Sequence, residues 1–350
     1  MAHISAALAR HEGIGLIQWA PSGHVDARVE IATTFEEAAW LAQLMRRGGI
    51  SHWLRSNPIS GVFAAFQLLQ KLRSAYRRRR DIDLYHINWL QCALPLPADG
   101  KPILITVLGN DMRLLRLPGM QHMIRRVLRD RKAAICPNAD WMRPELERAF
   151  GDLATVCTIP FGIDPRWYEL ERRFDTNALP KWLCVSRLTA EKIGSLFDWT
   201  APIFSGGKAE LHLLGPMQEQ INVPSWAHWH GPVTPDVLFS TWFPQVHGLI
   251  TLSQHAEGRP QVMLEAMASG LPIIASRLPA HDDLLSQGGG FLCRSAAETR
   301  ASLNALSDLR ENRLLGQHGR ARMRREMGTW DDCAQRYVTI YDELLGSSGI

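Results

Sequence analysis

The sequence predicts an α/β protein built from two doubly wound domains. Short apolar runs, typical of buried parallel strands, alternate with segments of helical period along most of the chain. At 350 residues the chain is long enough to bury two hydrophobic cores. The turn-forming stretch 160–164, Pro-Phe-Gly-Ile-Asp, separates two such series. We therefore predict domains at residues 1–162 and 163–328, followed by a terminal helix at 329–350.

The first predicted unit is a strand at 13–19, a helix at 35–47 and a strand at 50–54. The turn after the first strand contains Gly23 and His24. In a doubly wound domain this turn lies at the carboxyl end of a strand, where ligands bind. Gly23 and His24 therefore either face a ligand cleft or belong to an ordinary surface turn.

The next segment is an amphipathic helix at 61–80 that ends in Arg77, Arg78, Arg79 and Arg80. Basic side chains at a helix C-terminus either complement the helix dipole or dock on anionic lipid, at about 1 kcal/mol per residue near the surface. Nucleic acid is disfavoured as a partner, because no aromatic stacking pattern accompanies the arginines.

Charge is distributed unevenly between the two halves of the chain. Residues 1–170 hold 22 Lys and Arg against 16 Asp and Glu, a net +6, whereas residues 171–350 hold 17 against 19, a net −2. The first half is therefore the one expected to meet an anionic partner.

The remaining elements follow the same alternation. Predicted strands lie at 84–87, 101–108, 133–136, 154–159, 181–185, 209–214, 247–252, 271–275 and 288–292. Predicted helices lie at 120–131, 139–150, 259–269, from 281, within 296–327 and at 330–345. His86 comes near the carboxyl end of its strand, so it is either a cleft residue or a buried, hydrogen-bonded histidine.

Composition is that of a globular protein. Hydrophobic residues make up 46% of the chain and charged residues 21%, and no apolar run approaches the ~18–20 residues needed to span a bilayer. We read no signal peptide at the N-terminus and expect a cytoplasmic protein. The six cysteines never form a C-x-x-C pair, which indicates reduced structural thiols and neither a disulfide framework nor a zinc site.

The stretch 247–276 is the most informative part of the chain. It is predicted as strand, turn, helix and strand, with Glu257 in the turn and Glu265 inside the helix. Free N–H groups at the helix N-terminus, near Gly258, Arg259 and Pro260, favour a phosphate. On spacing alone, two glutamates eight residues apart are more often solvated helix carboxylates than a site.

The wording of residues 257–274, E-G-R-P-Q-V-M-L-E-A-M-A-S-G-L-P-I-I, resembles the E-x7-E signature of retaining glycosyltransferases of the GT-B fold, specifically glycosyltransferase family 4. The resemblance implies two Rossmann-like domains facing each other across a cleft, with the last helix crossing back to the first domain. It also implies a nucleotide-sugar donor, linked to UDP or GDP, whose sugar contacts Glu257 and whose ribose contacts Glu265.

Further residues take their roles from the same resemblance. Arg187 and Lys192, otherwise ordinary surface cations, match the R-x4-K pair that neutralises the donor diphosphate, although Ile193 separates Lys192 from the glycine that usually follows. Gly231 and Val233 fall where family members read the base through backbone groups.

Two departures from the family pattern concern the first domain. Leu108 stands in place of a common substrate-contacting histidine, which leaves Asn110 and Asp111 as the polar candidates. Asp111 is chosen as an acceptor-side base or orienting group. The first turn also has Gly23 alone where the family usually has a glycine pair.

No metal is expected. Asp81-Ile-Asp83 imitates the D-x-D metal motif of the other large glycosyltransferase fold, but it precedes its strand and so lies at the wrong end of the sheet.

The expected function is therefore metal-independent hexosyl transfer to a glycan or lipid-linked acceptor, in polysaccharide or lipopolysaccharide assembly, with possible contact to an anionic membrane. The alternatives are a GT-B sugar-nucleotide epimerase or phosphorylase and a catalytically silent membrane-docking partner. The E-x7-E wording argues against an epimerase, and the lack of a pyridoxal-phosphate lysine motif argues against a phosphorylase. Intact Arg187, Lys192, Glu257 and Glu265 argue against a silent protein.

Overall fold

The computed structural model describes residues 2–21, 23, 26–46, 49–50, 53, 57–173, 178–255 and 257–346. The chain divides into two compact units, residues 1–160 together with 330–350, and residues 161–329. Each unit has a parallel sheet and its own hydrophobic core.

The first unit contains the elements up to residue 160. Its helices are α1 Ala2–Leu8, α2 Phe35–Arg46, α3 Pro58–Arg78, α4 Gly109–Leu115, α5 Met120–Leu128 and α6 Arg143–Phe150. Its strands are β1 Ile17–Gln18, β2 Glu30–Ile31, β3 Tyr85–Asn88, β4 Ile103–Val107, β5 Ala133–Pro137 and β6 Thr155–Val156. Strands β3, β4, β5 and β6 form the main sheet in that order, all parallel.

The start of this unit departs from the prediction. Only Ile17 and Gln18 of the predicted strand 13–19 pair, and they form a separate parallel ribbon with β2. Both are only half-buried, so the run does not supply the buried face that a central parallel strand needs. In the predicted strand 50–54, the described residues Ile50 and Trp53 are helical.

The second unit contains a six-stranded parallel sheet. Its strands are β7 Lys181–Val185, β8 Glu210–Leu214, β9 Ala227–Trp229, β10 Gly248–Thr251, β11 Ile273–Ser276 and β12 Gly290–Cys293. Its helices are α7 Pro165–Tyr168, α8 Ala190–Ile193, α9 Leu196–Phe204, α10 Pro235–Val237, α11 Gln261–Ala268, α12 Pro279–Leu285, α13 Ala296–Ala305 and α14 Leu309–Glu326.

The last helix, α15 Trp330–Leu345, belongs to the first unit. It packs against α1 and β5. The Tyr337 hydroxyl lies 2.9 Å from the Thr106 hydroxyl on β4, and both side chains are buried. The carboxyl-terminal part of the chain therefore completes the core that the first 160 residues begin.

Candidate active site

The strand order of the second unit defines where a ligand would bind. The order is β12-β11-β10-β7-β8-β9. The chain runs outward from β7 through β8 to β9, returns to β10 on the other side of β7, and runs outward again. In open parallel sheets, ligands bind at the carboxyl ends of the two strands between which this reversal occurs. The segments that follow β7 and β10 are therefore the candidate site.

These two segments are bound to each other. Ser195 donates its backbone N–H to Leu252 O at 3.1 Å, and Gln254 donates to Glu191 O at 2.8 Å. Gly194 lies between them at a φ of +52°, and a Cβ there would lie 2.3 Å from Leu252 O. Only glycine fits this approach at position 194.

Lys192 and Glu257 meet at this point as an ion pair between Nζ and Oε1. The two side chains are 12% and 18% exposed, so the pair is partly shielded from water but open to a ligand. Thr189 helps to place Lys192, because its hydroxyl accepts the Lys192 backbone N–H at the start of α8. Two residues predicted separately are thus brought into direct contact.

Arg187 follows β7 and is exposed. Its Nη1 donates to Gln218 Oε1 at 3.3 Å, and among the described residues no carboxylate pairs with it. The guanidinium therefore stands at the same strand end as Lys192, with its charge unpaired by any described carboxylate.

Glu265 lies in α11 and is half-buried. The side chain has no hydrogen-bond or ion-pair partner within the described part of the chain. Burial raises the pKa of Glu265 to about 7, an effect opposed by the positive charge of Arg166 and reinforced by Asp164. A shielded carboxylate of this kind is suited to accept hydrogen bonds from ligand hydroxyls.

The predicted phosphate-contacting segment before α11 is only partly available. Arg259 is buried, and its guanidinium forms an ion pair with Asp283 and contacts Met327 Sδ at 3.4 Å. Its charge is neutralised within the fold, which corrects the expectation that it contacts a donor. Gly258 and Pro260 remain half-buried beside the helix start, where Pro260 is the N-cap.

Backbone and side-chain groups meet at the ends of β8 and β9, the region predicted to read the base, where the Trp229 indole N–H donates to Gly215 O at 3.0 Å. Gly231 accepts the Gly215 N–H at 2.8 Å, and Val233 packs partly on the core. A Cβ on Gly215 would lie 1.9 Å from Ser186 O, so the ends of β7 and β8 approach each other as closely as glycine allows.

In the first unit, Asp111 is placed differently from the prediction. Its carboxyl is fully buried and accepts the backbone N–H groups of Leu90 at 2.8 Å and Leu108 at 2.7 Å. Burial raises the pKa of Asp111 to about 6, although these hydrogen bonds act against the rise. The group holds two chain segments together, and its placement does not support the predicted role as an acceptor-side base.

His86 is also engaged within the fold. Its Nδ1 lies 2.5 Å from the Tyr341 hydroxyl and its Nε2 lies 2.8 Å from the Thr106 hydroxyl. Burial lowers the pKa of His86 to about 4, so the ring is neutral at physiological pH. The geometry therefore supports the second alternative, in which His86 is a buried, hydrogen-bonded histidine.

The other predicted cleft residues of this unit differ in accessibility. Asn110 is exposed on the first turn of α4. Gly23 is exposed, and a Cβ there would meet nothing within 4 Å. His24 lies outside the described residues.

Two of the four arginines predicted to contact a membrane are paired within the protein. Arg78 binds the largely buried Glu37 at 2.8 Å, and Arg79 binds Asp81 at 2.8 Å and also Glu30. Arg77 and Arg80 are exposed, and no described residue hydrogen-bonds or pairs with their guanidinium groups. The prediction of membrane contact therefore now applies to Arg77 and Arg80.

Sequence reasoning missed His281, which the structure buries completely in α12. Its Nδ1–H donates to Ser276 O at 2.8 Å, whereas Nε2 has no partner among the described residues. Glu257 and Lys192 are among the charges that act on its pKa, which burial lowers. A lone histidine in an amphipathic helix gives no sequence signal for such a position.

Two further candidates lie at the carboxyl ends of strands in the first unit. Trp89 follows β3 with a φ of +69°, is 40% exposed, and is the one non-glycine residue with positive φ in the described ranges. Asn138 follows β5, is buried, and its Oδ1 has no described partner. Strained or unsatisfied groups at strand ends are typical of ligand sites.

Two searches were limited to the described residues. Among them, no group of three or more His, Cys, Asp or Glu side chains is arranged to hold a metal ion. Among them too, no helix combines the length and apolar character required to cross a bilayer.

Comparison with known proteins identifies the fold. Residues 180–312 match the family model described as glycosyl transferases group 1. No curated protein matches the chain.

Among solved structures, α,α-trehalose 6-phosphate synthase from Burkholderia multivorans is similar with a TM-score of 0.69 at 14% identity, over 96% of this chain and 90% of that one. Sucrose-phosphate synthase from Thermosynechococcus elongatus is similar with a TM-score of 0.65 at 18% identity, over 81% and 79%. HepE from Anabaena, solved with UDP and glucose, is similar with a TM-score of 0.63 at 13% identity, over 79% and 82%. The predicted fold class, an α/β GT-B fold, is confirmed.

Proposed function

We propose that the chain is a retaining glycosyltransferase that moves a hexosyl group from a nucleotide-diphosphate sugar to a glycan or lipid-linked acceptor. The observation that carries the proposal is the Lys192–Glu257 ion pair at the point where the strand order reverses. A cation for a phosphate and a carboxylate for sugar hydroxyls stand there side by side. The family match over residues 180–312 and the E-x7-E wording support the same function.

In the proposed reaction, the bond between the sugar C1 and the diphosphate oxygen breaks. The acceptor hydroxyl oxygen forms a bond to C1 on the same face, and its proton passes to the departing diphosphate oxygen. Negative charge develops on the diphosphate, so groups already aimed at that place contribute the largest effect on rate. Lys192 and Arg187 supply this charge without a metal, and the backbone near Gly258 and Pro260 supplies N–H donors.

The sugar and the nucleoside have separate partners in this proposal. When a diphosphate attracts Lys192, Glu257 is released to accept hydrogen bonds from the sugar. Glu265 accepts hydrogen bonds from the ribose, and the backbone at Gly231 and Val233 reads the base. HepE has been solved with UDP and glucose, which favours a UDP-linked donor over a GDP-linked one.

The acceptor is assigned to the first unit. With Asp111 and His86 engaged in the fold, Asn110, Asn138 and Trp89 are the remaining candidates at the carboxyl ends of its strands. A partly exposed indole suits the apolar face of a sugar ring, and an amide oxygen accepts from its hydroxyls. Polysaccharide or lipopolysaccharide assembly is the proposed setting.

The test is a thermal-shift screen against UDP, GDP and their common sugar conjugates, with wild type and Glu265→Ala. Ligand at ~100 times its Kd contributes about 2.7 kcal/mol to the free energy of unfolding, which gives a measurable rise in Tm. We expect one nucleotide to stabilise the wild type selectively and the variant much less.

Donor hydrolysis is then measured with the selected sugar nucleotide. Binding with hydrolysis supports the transferase. Selective binding without any turnover in the presence of an acceptor library supports a catalytically silent protein, and stabilisation by no nucleotide contradicts the donor site itself.

A further inference from the structure

A cavity lies at the amino edge of the main sheet of the first unit, at the opposite end of its strands from Trp89 and Asp111. Its volume is about 660 Å³, and Arg73, Tyr76, Arg77 and Arg80 line one side of it. The segment 94–99 and Lys101 line the other side. Arg80 precedes β3 and Lys101 precedes β4, and the starts of parallel strands share one edge of a sheet.

The cavity has an excess of positive charge. The guanidinium groups of Arg73, Arg77 and Arg80 form no hydrogen bond or ion pair with any described residue. Asp99 is the one carboxylate in the lining, and it already accepts the Tyr85 hydroxyl at 2.8 Å. Like charges at helical spacing repel one another, so an anion in the cavity would stabilise them.

The helix dipole can account for Arg77, in the last turn of α3, but not for the whole cluster. Its influence is confined to the last turn of a helix. Arg73 lies more than a turn before the end of α3 at Arg78. Arg78, which is inside the last turn, points instead to Glu37. The helix dipole therefore gives no reason for Arg73 to face the cavity.

The wall opposite the arginines is largely apolar. It is formed by Leu94, Pro95, Leu96 and Pro97, and the two leucines pack partly on the core. Two prolines stiffen this wall, so the cavity is largely preformed. A basic side facing an apolar side suits a phosphate attached to carbon, since guanidinium groups bind phosphate oxygens in pairs.

The solvent-facing side of α3 continues from the cavity into an apolar stripe. Ile59, Val62, Phe63 and Phe66 are 85%, 62%, 61% and 57% exposed. Their spacing of three and four residues places them on the side of the helix that carries Arg73 and Arg77. These four side chains are turned to solvent, whereas Leu72 on the same helix is buried.

We propose that this cavity binds the phosphate of a phosphate ester, and that the ester is the headgroup of an anionic phospholipid on whose bilayer the apolar stripe rests. Exposed apolar side chains next to a basic cavity match a surface that is anionic outside and apolar just beneath. A small phosphate in solution would occupy the cavity but would leave the stripe in water. The inference is independent of the transfer reaction proposed above.

The experiment measures partitioning onto phosphatidylcholine vesicles with and without phosphatidylglycerol. The cavity variant carries Arg73→Gln, Arg77→Gln and Arg80→Gln. The matched control carries Arg116→Gln, Arg126→Gln and Arg148→Gln, three exposed arginines of the same unit outside the cavity. We expect the cavity variant to partition onto the anionic vesicles on the order of 100-fold more weakly, since each of the three basic residues near the surface contributes about fivefold.

The control variant should lose less than about threefold at physiological salt, where distant charges are screened. Equal losses in the two variants would show that net charge alone acts and would overturn the site. A Phe63→Ser, Phe66→Ser variant should also lose vesicle binding.

A second arm titrates glycerol 3-phosphate into the same proteins by calorimetry. Binding that the cavity variant loses, without any vesicle binding by wild type, would keep the phosphate site and overturn the lipid source. Binding to neither ligand by wild type would overturn the whole proposal. Donor hydrolysis should be equal in wild type and the cavity variant, and Tm should be no lower in the variant, which separates this test from that of the transferase.

Discussion

Asp111 and Glu265 form an informative comparison between the two units. Each carboxyl lies on a helix that follows a parallel strand, and burial raises both pKa values, to about 6 and about 7. Asp111 accepts two backbone N–H groups. Glu265 has no partner among the described residues. A raised pKa therefore marks a structural carboxyl at Asp111 and a candidate ligand-binding carboxyl at Glu265, and the hydrogen-bond partners distinguish the two cases.

The same difference separates the predicted residues of the two units in general. In the first unit, His86, Asp111 and Arg78 are bound by the protein's own groups. In the second unit, Arg187 and Glu265 form no ion pair with any described residue. Substitutions in the first group should change stability, and those in the second should change binding.

The largest expected effect is that of Lys192→Met on turnover. Loss of a charge aimed at the departing diphosphate should lower the rate of donor hydrolysis by about 10²–10³-fold, or about 2.7–4 kcal/mol. Lys208→Met, an exposed lysine of the same unit, is the control and should leave the rate unchanged. An equal rate in the two variants would remove Lys192 from the proposed mechanism.

Asp111→Ala should lower stability and leave nucleotide affinity unchanged. Two buried N–H groups lose their acceptor, which costs about 2–4 kcal/mol in the free energy of unfolding. Because the pKa of Asp111 is raised from 3.8 to about 6, its stabilising contribution falls as pH rises across that interval. Urea denaturation should therefore show a greater loss near pH 5 than near pH 8. If the variant bound UDP more weakly but kept wild-type stability, Asp111 would act in ligand binding, and the comparison with Glu265 would be reversed.

Glu265→Gln should act in the opposite direction on stability. With its pKa raised from 4.5 to about 7, the ionised carboxyl destabilises the folded state increasingly as pH rises across that interval. Glutamine removes the charge, so the free energy of unfolding near pH 8 should rise by about 1–2 kcal/mol. The UDP affinity of the wild type should increase between pH 6 and 8, as Glu265 ionises. The variant should bind UDP a few-fold more weakly, and its affinity should lack this increase. Calorimetric titration at several pH values checks this, and a pH-independent wild type would contradict it.

The smallest effect concerns the backbone at Trp89, where φ is +69° and ψ is +131°. Trp89→Gly and Trp89→Ala both remove the indole, so the difference between them isolates the backbone. Glycine adopts this conformation without strain, and we expect it to be more stable than alanine by about 1 kcal/mol. Glycine is ordinarily the less stable of the two in regular structure. If thermal unfolding showed the alanine variant to be more stable than the glycine variant, the backbone at Trp89 would be unstrained.

The sequence predicted the second unit more accurately than the first. Strand Lys181–Val185 of the second unit has the predicted bounds residue for residue, because a buried parallel strand leaves a clear pattern. In the first unit the same is true of Trp330–Leu345, a strongly amphipathic helix, but not of the elements before residue 58. The predicted strand at 13–19 was mostly wrong, because an apolar stretch does not reveal which sheet it will join. Helix α1, at the N-terminus, was missed for lack of a distinct period.

Within the candidate site, residue identities were predictable and their partners were not. Lys192 and Glu257 were named separately, but their contact depends on how two loops 65 residues apart are folded together. Arg78 reaches Glu37 across 41 residues, and Leu90 reaches Asp111 across 21. Motifs indicate which side chains suit a ligand, whereas the fold decides which of them remain available.

The Lys192–Glu257 ion pair has a consequence for how the proposed donor would be recognised. A diphosphate that binds Lys192 displaces Glu257 from it, so the lost ion pair offsets part of the attraction between Lys192 and the diphosphate. A nucleotide without its sugar would leave Glu257 with neither lysine nor hydroxyls as partners. The intact donor satisfies both groups at once, so the pair makes the two halves of the donor cooperative and disfavours the free nucleotide that remains after transfer.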